Sequence, residues 1–487
     1  MTHRSEEVGA SRDPRGGRAI DRKSPSRRPK IVPRAEHNIS RRDIDPDALK
    51  ILYRLNRHRY KAYLVGGGVR DLQLGVKPKD FDIATDARPG RLKKMFRNCR
   101  IIGRRFRLAH IHYPGDKIIE VATFRSSGES DAIVRDGDLI RRDNVFGTPQ
   151  EDALRRDITI NALFYDISDF SVIDYLGGMA DLREGLIRTI APPEVSFRED
   201  PVRMLRVIRH ATRLGFRIEE GARRALVEER DEILKANQAR LLEEFYKDLT
   251  CGRARAYFES LHEHQFLRIL VPSLVETFRR RGPRTGKKLF LESLDRLDAL
   301  VVGGREVSHA IALAALFSPM ILPVARALEQ GGPGPGSTVV ECFQEALGPA
   351  FRHLKVYRRD EERLWHVLGA WLRVRRAFER GSIPAALAKR HYFPDAAETL
   401  GIIEEMTPEL ESFLTEVRAL PPPESQAIDG QGRRRRRRRK RAPGAERPAE
   451  PARARNSARE PERRKRQARS QKARRRRRHR RGAAGES

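Results

Sequence analysis

Two aspartates flank one aromatic in the stretch "KPKDFDIAT" (77–85): Asp80, Phe81, Asp82. Strand side chains alternate faces, so both carboxylates point to one side and Phe81 to the other. Aspartate is disfavoured in strands. Two carboxylates this close raise each other's pKa unless a cation lies between them. Oxygen ligands with no His or Cys cluster nearby suit Mg²⁺ or Mn²⁺. Alone, such a pair is more often two solvated acids at a strand end, but its neighbours change that reading. Ten residues upstream, "LVGGGVRD" reads as a strand, a glycine turn and a helix start. Such a turn aims backbone N–H groups at a phosphate near the positive end of a helix. A glycine turn and an acidic pair together describe a metal–triphosphate site for phosphoryl transfer.

These residues need a rigid frame. Asp45-Pro46 reads as an N-cap followed by proline at the first helical position, and Ala48, Leu49, Leu52 and Leu55 recur at helical spacing. The segments "AYLV", "FDIAT", "CRIIG", "RLAHIHY" and "KIIEVATF" read as strands, and "RPGRLKKMF" as a helix. Residues 41–185 are therefore expected to form an α/β domain around a mixed sheet. From about Leu186 the pattern turns helical and stays so, with "ARAYFESLHEHQFLRIL" and "ALVVGGREVSHAIALAALF" each read as one helix. A helical neck over 186–255 and a helical body over 256–420 follow. In "EDPVR", Asp200 sits where an N-cap would, before Pro201, and Asp200 and Arg203 share a helix face. Val202, Leu205 and Ile208 form the stripe that should be buried.

Charge is distributed unevenly over the 487 residues. The net charge is +33, and residues 421–487 alone hold 26 Lys+Arg against 7 Asp+Glu. That tail includes "RRRRRRRKR" and has no aromatic residue, so it cannot offset chain entropy by burial and is expected to be disordered. Residues 1–40 are read as a milder extension of the same kind. A balance this basic favours polyanionic partners. The three scattered cysteines, Cys99, Cys251 and Cys342, suit a reducing cytoplasm. No run of 18 apolar residues and no secretory leader is visible, so no transmembrane segment is expected.

"LVGGGVRDLQLGVKPKDFDIAT" resembles the nucleotidyltransferase signature of class II tRNA CCA-adding enzymes and bacterial poly(A) polymerases, within the DNA polymerase beta-like superfamily. Three further motifs follow in the family's order: "QEDALRRDITINALFYD", "DYLGGMADLREGLIR" and "REDPVRMLRVIRHATRLGF". The resemblance implies a polymerase beta-like mixed sheet followed by an all-α half. It implies that Asp80 and Asp82 hold two Mg²⁺ ions, that Gly67 approaches the phosphates and that Arg70 stands beside them. Asp157 becomes the third functional acid, acting at the ribose rather than on the metal, with Glu120 on strand "KIIEVATF" as the rival metal ligand. Asp200 and Arg203 would read the Watson–Crick edge of the incoming base, and Arg156 and Arg206 would touch the nucleotide.

The four motifs do not separate the two activities. "IIGRRFRLAHI" (101–111), the lead-in to the glycine turn and the basic tail resemble poly(A) polymerases. The expectation is a monomeric enzyme that adds poly(A) to RNA 3′ ends from ATP, releases pyrophosphate and promotes RNA decay. CCA addition to tRNA is the alternative, and a non-catalytic RNA-binding protein on the same fold is the alternative of a different class. The basic tail would hold RNA near the site through its phosphates.

Overall fold

The computed structural model describes residues 28–103, 107–126, 134–136, 139–142, 145–280, 283–332, 334 and 337–420. The basic tail lies outside them, as do residues 104–106 of "IIGRRFRLAHI".

The first half is built on an eight-stranded sheet. In chain order its strands are β1 (Lys30–Val32), β2 (Ala62–Val65), β3 (Asp82–Thr85), β4 (Cys99–Ile102), β5 (Leu108–His112), β6 (Ile118–Thr123), β7 (Leu163–Asp166) and β8 (Val172–Asp174). In space they run β1-β8-β7-β2-β3-β6-β5-β4. Every pairing is antiparallel except β3 with β6. A parallel pair needs a crossover, and the helix Pro89–Met95 lies within the segment that makes it. The sheet is mixed, as the sequence implied.

Strand alternation sorts side chains into two cores. Leu64, Phe81 and Ile83 face the large core, together with Ile51, Leu52 and Leu55 of the helix Pro46–Arg57. Asp45 caps that helix as expected, accepting from Asp47 N at 2.8 Å. On the other face Tyr63, Val65, Ala84, Phe124 and Phe164 form a smaller core. Asp82 shares the face of Ala84, so the acids stand at the rim of this smaller core.

Two expectations require correction. The extension assigned to residues 1–40 is structured within its described part. Lys30–Val32 adds the edge strand β1 to β8, and His37 and Ile39 are buried. His37 Nε2 lies 2.8 Å from Phe170 O, which fastens the segment to the loop between β7 and β8. The sequence signal is weak because only two apolar residues, Ile31 and Val32, mark the strand. The second correction concerns the two segments read as single helices. "ARAYFESLHEHQFLRIL" breaks at Gln265, whose φ of 64° ends Ala254–Glu263 before Phe266–Leu270 begins. "ALVVGGREVSHAIALAALF" breaks at Gly303-Gly304, with φ 75° at Gly304, and restarts at His309 under a Ser308 cap. Apolar periodicity continued through both breaks, and the chain reversal was hidden in one or two residues.

Among the described residues the second half is helical from Pro193 to Ala419, with one two-residue parallel bridge between Leu186–Ile187 and Arg217–Ile218. Its core runs through Phe258, Phe290, Phe317 and Trp371, all fully buried. No single described helix is long and apolar enough to cross a membrane. One pair, His309–Leu316 and Ser318–Gly331, passes such a test jointly, bent by 85°.

The third motif, "DYLGG", is a structural clamp. Asp174 is buried, and its carboxylate accepts from the backbone N–H of Leu176, Gly177, Gly178 and Met179 at 2.8–3.1 Å. Gly178 passes so close to the turn Thr159–Asn161 that a Cβ there would lie 2.4 Å from Thr159 O. Gly178→Ala should therefore force these backbones apart and cost about 1–3 kcal/mol, read as a lowered midpoint in thermal unfolding. An unchanged midpoint would mean that the packing there is loose.

Candidate active site

The glycine turn and the acids adjoin because β2 and β3 are antiparallel, with Val65 opposite Asp82. Where β2 ends, β3 begins. Gly66 has φ 71° and ψ −138°, a conformation that excludes most side chains, and the helix Gly67–Gln73 starts directly after it. A Cβ on Gly66 would lie 3.1 Å from Arg156 Nη1 and 3.9 Å from Asp82 Oδ2. A Cβ on Gly68 would lie 3.4 Å from Asp80 O. The turn, Arg156 and both aspartates thus occupy one small region.

Asp80 lies just before β3 and is exposed, Phe81 is buried, and Asp82 is half-buried at the first strand position. The parallel pairing of Ile83 with Val121 sets Glu120 beside Asp82 on the neighbouring strand. Burial, then the Glu120 charge, pushes the Asp82 carboxyl up to about 6, with Asp80 adding to the rise and Arg156 and Arg206 opposing it. Glu120 is itself 3.1 Å from His110 Nε2. The sheet register thus sets Glu120, rather than Asp157, next to Asp82 on an adjoining strand. Among the described residues no three His, Cys, Asp or Glu side chains already form a metal cage. An oxygen-only set of one or two carboxylates at a time fits Mg²⁺, which commonly completes its shell with water and substrate phosphates.

Asp157 stands apart from these acids. Its Oδ2 accepts from Arg206 Nε at 2.8 Å, and its Oδ1 accepts from Ile158 N at 3.0 Å and Asn161 Nδ2 at 3.3 Å. Burial opposes its ionisation, yet the Arg206 guanidinium, aided by His210 and these hydrogen bonds, holds it far below the usual carboxylate range. Arg70 also points inward. Its Nε and Nη2 donate to Asp71 Oδ1 at 2.8 and 2.7 Å, and its Nη1 donates to Asn161 Oδ1 at 2.6 Å. Arg70 lies under Gly67, with Nη2 3.3 Å from where a Cβ would sit. Arg70, expected beside the phosphates, is buried beneath the turn with its guanidinium taken by Asp71 and Asn161. Arg156 is the cation at the turn. It donates to Asp152 Oδ2 and Asn161 O at 3.1 Å each, and stacks 5.3 Å above the ring of Phe164.

The helix Val202–Leu214 joins this region to the helical half. Val202, Leu205 and Ile208 are fully buried, as expected. Arg206, His210 and Arg213 form a polar stripe against the head. Arg206 meets Asp157, His210 lies 3.2 Å from Asn161 and 3.4 Å from Arg70, and Arg213 meets Asp71 at 3.0 Å. Burial, followed by the Arg70 charge, pushes His210 well below its ordinary value. Arg209, on a third face, is bound by Glu244 and Asp248 of the helix Gln238–Leu249.

Asp200 does not cap the helix Val202–Leu214, whose N-terminus has no side-chain cap. Its carboxylate pairs with Arg240 instead, at 3.0 and 3.1 Å, a bidentate arrangement. Arg203 donates to Ser196 Oγ at 3.1 Å, Glu199 Oε2 at 3.3 Å and Arg155 O at 3.3 Å. The two side chains are fixed separately and do not bond each other. Arg240, Asn161, His210 and Arg213 were not singled out from sequence. The spacing of residues 206, 210 and 213 opposite the apolar stripe was the available signal. Arg240, 40 residues from its partner, offered none.

Residues 62–188 match the family described as the poly A polymerase head domain, and residues 215–277 match the probable RNA and SrmB-binding site of polymerase A. The chain is 42% identical over 339 residues to poly(A) polymerase I of Salmonella typhi, covering 68% of this chain and 72% of that one. It is 38% identical over 190 residues to a CCA-adding enzyme of Bacillus pumilus strain SAFR-032, covering 39% and 46%. The fold is similar to that of the Bacillus stearothermophilus CCA-adding enzyme solved with CTP, at 24% identity and a TM-score of 0.53, covering 77% of this chain and 82% of that one.

The raised pKa of Asp82 predicts a gain in stability on its removal. Its folded value of about 6 exceeds the unfolded value near 4, so the ionised carboxylate destabilises the metal-free fold above pH 6. As pH falls through 6 towards 4 that cost disappears. With divalent ions chelated, Asp82→Asn should be more stable than wild type at pH 7 by on the order of 1–3 kcal/mol, read as a higher unfolding temperature, and the two should converge near pH 4. Equal midpoints at pH 7 would show that neither burial nor Glu120 loads this carboxylate.

Proposed function

The chain belongs to the bacterial poly(A) polymerase family and is a polynucleotide adenylyltransferase, and from this premise we propose that it adds poly(A) to RNA 3′ ends from ATP, releases pyrophosphate and thereby marks RNA for decay. The observation that carries the reading is the pairing of Val65 with Asp82, which sets a phosphate-binding turn against an acidic pair.

Asp80 and Asp82, with Glu120 as the third carboxylate, would hold two divalent ions. Such ions, when bound, neutralise triphosphate charge and activate the attacking 3′-hydroxyl. The backbone N–H groups of Gly66 and Gly67 line the phosphates, and Arg156 supplies positive charge from the side of Phe164. Asp157 keeps Arg206 and the helix Val202–Leu214 in register with the head. Asp200 and Arg203 present an acceptor and a donor to the incoming base, so a protein surface stands in for a template strand. Their separate tethers, Arg240 on one side and Ser196 with Glu199 on the other, remove side-chain freedom before the nucleotide arrives, which favours selection.

Primer extension with Mg²⁺ tests this reading. The full chain should extend oligoadenylate with ATP, and Asp80→Ala should abolish extension while retaining RNA binding. Extension confined to tRNA lacking CCA, with CTP used as well, would establish the CCA-adding alternative. Absence of any extension would leave an RNA-binding protein on this fold. A further outcome concerns Arg240. Arg240→Ala should release Asp200 and lower the ratio of kcat/KM for ATP over CTP by about tenfold, roughly the loss of one charged hydrogen-bonding pair. An unchanged ratio would exclude Arg240 from base selection.

A further inference from the structure

Between residues 87 and 107 the chain has nine Lys or Arg and no Asp or Glu. Six of the nine, Arg88, Arg91, Lys93, Lys94, Arg97 and Arg100, are exposed, and none of these six forms an ion pair among the described residues. Elsewhere on this protein several exposed arginines have acidic partners, as Arg223 has Glu220 and Arg358 has Glu362. The unbalanced charge lies on and around the crossover helix Pro89–Met95. There Arg88, Arg91, Lys94, Arg107 and Phe146 surround a groove of about 440 Å³.

Phe146 is the unusual member, an aromatic ring 38% exposed among cations. The Arg88 guanidinium lies 5.6 Å from its centroid. The backbone that carries the ring is fixed. Phe146 bridges to Arg125, Ser126 N donates to Val145 O at 2.9 Å, and Gly147 N donates to Phe124 O at 2.8 Å. Gly147 packs so closely that a Cβ would lie 2.6 Å from Ser126 N. The ring is therefore presented on a rigid ladder beside the groove.

The groove connects to the active site through a short chain of hydrogen bonds. Arg125, paired with Phe146, donates its backbone N–H to Asp152 Oδ1 at 3.3 Å. Asp152 accepts from Arg156 at 3.1 Å, and Arg156 lies against Gly66. Both the crossover helix and Phe146 follow strands of the parallel pair, β3 and β6, that carry Asp82 and Glu120. Cations beside an exposed, rigid aromatic are the pattern of single-stranded nucleic-acid binding, where phosphates follow the charge and a base stacks on the ring.

We propose that the groove formed by Arg88, Arg91, Lys94, Arg107 and Phe146 is a track for single-stranded RNA a few nucleotides upstream of the 3′ end being extended. This rests on the polyadenylation reading for the position of the 3′ end, whereas RNA binding at the groove does not depend on catalysis. Phosphates lie along the crossover helix and one base stacks on Phe146. The track gives the head its own hold on RNA, independent of the tail, and a primer too short to reach it gains nothing from it.

The test uses the full chain and oligoadenylate primers of graded length. Phe146→Ala and the triple variant Arg88→Ala/Arg91→Ala/Lys94→Ala should each raise the primer KM about tenfold for dodecamers. The KM for dinucleotide primers and for ATP should stay at the wild-type value. Phe146→Tyr should restore dodecamer KM. The triple variant should also flatten the dependence of log affinity on log salt, by about 0.7 for each phosphate it no longer neutralises. An equal rise for every primer length, or no rise at all, would overturn the track. A second readout needs no turnover. An oligonucleotide with 5-iodouridine placed upstream of its 3′ end should photocrosslink to the peptide containing Phe146. A crosslink elsewhere refutes the track even if extension is normal. A crosslink at Phe146 in a protein that extends nothing would uphold the track and refute the polymerase reading.

Discussion

The structure turns on the helix Val202–Leu214 and the polar seam it buries against the head. Its apolar stripe alone would fix neither rotation nor register, because aliphatic packing tolerates sliding. Arg206, His210 and Arg213 remove that freedom, since each has one place on the head where its partner waits. A buried ion pair is weak evidence for stability, but losing one partner is costly. A helix shifted by one turn would part Arg206 from Asp157 and Arg213 from Asp71 together, leaving Asp71 only Arg70. The seam thus acts on geometry more than on total stability. It places Asp200 and Arg203, at the helix start, relative to a turn and acids on a different part of the chain.

The same logic extends outward through Arg209. It binds the helix Gln238–Leu249 by Glu244 and Asp248, and that helix returns Arg240 to Asp200. The ring of constraints is closed: head to helix, helix to helix, and back to the residue beside the helix start. Alternation of strand side chains does the complementary work in the sheet. By sending Phe81 to the large core and Asp82 to the rim of the small one, β3 supplies hydrophobic anchorage and charge from adjacent residues.

What the sequence disclosed follows from locality. The acids, the glycine turn and the apolar stripe of Val202, Leu205 and Ile208 are encoded within a few residues of each other, so period and residue type suffice. The mixed sheet followed from strand patterns separated by helical ones. Asp157 was preferred to Glu120 as the third acid, since strand order is not written in either segment; the register of Ile83 with Val121 is what sets Glu120 beside Asp82. The burial of Arg70 was not legible for a related reason. Its position in the motif suggested phosphate, while its burial depends on Asn161, 91 residues away. Asp200 matched the local signature of an N-cap, and a bidentate partner 40 residues on outcompeted that weaker bond.

The distribution of charge fits one physical requirement. A site that joins two polyanions, an RNA end and a nucleoside triphosphate, must gather negative charge and yet keep carboxylates for metal ions. If cations and acids were mixed evenly they would neutralise one another at close range and leave little field for either ligand. Here the head separates them. Arginines near the acids are mostly engaged: Arg70 by Asp71, Arg206 by Asp157, Arg156 by Asp152. Asp80, Asp82 and Glu120 therefore keep their repulsion, which adds to burial in raising Asp82 and leaves it ready for a cation. The exposed cations of the crossover helix lie beyond that shell, in a stretch of sequence that holds no acid to compete for them. Attraction for RNA and affinity for metal coexist because the fold keeps short range and long range apart.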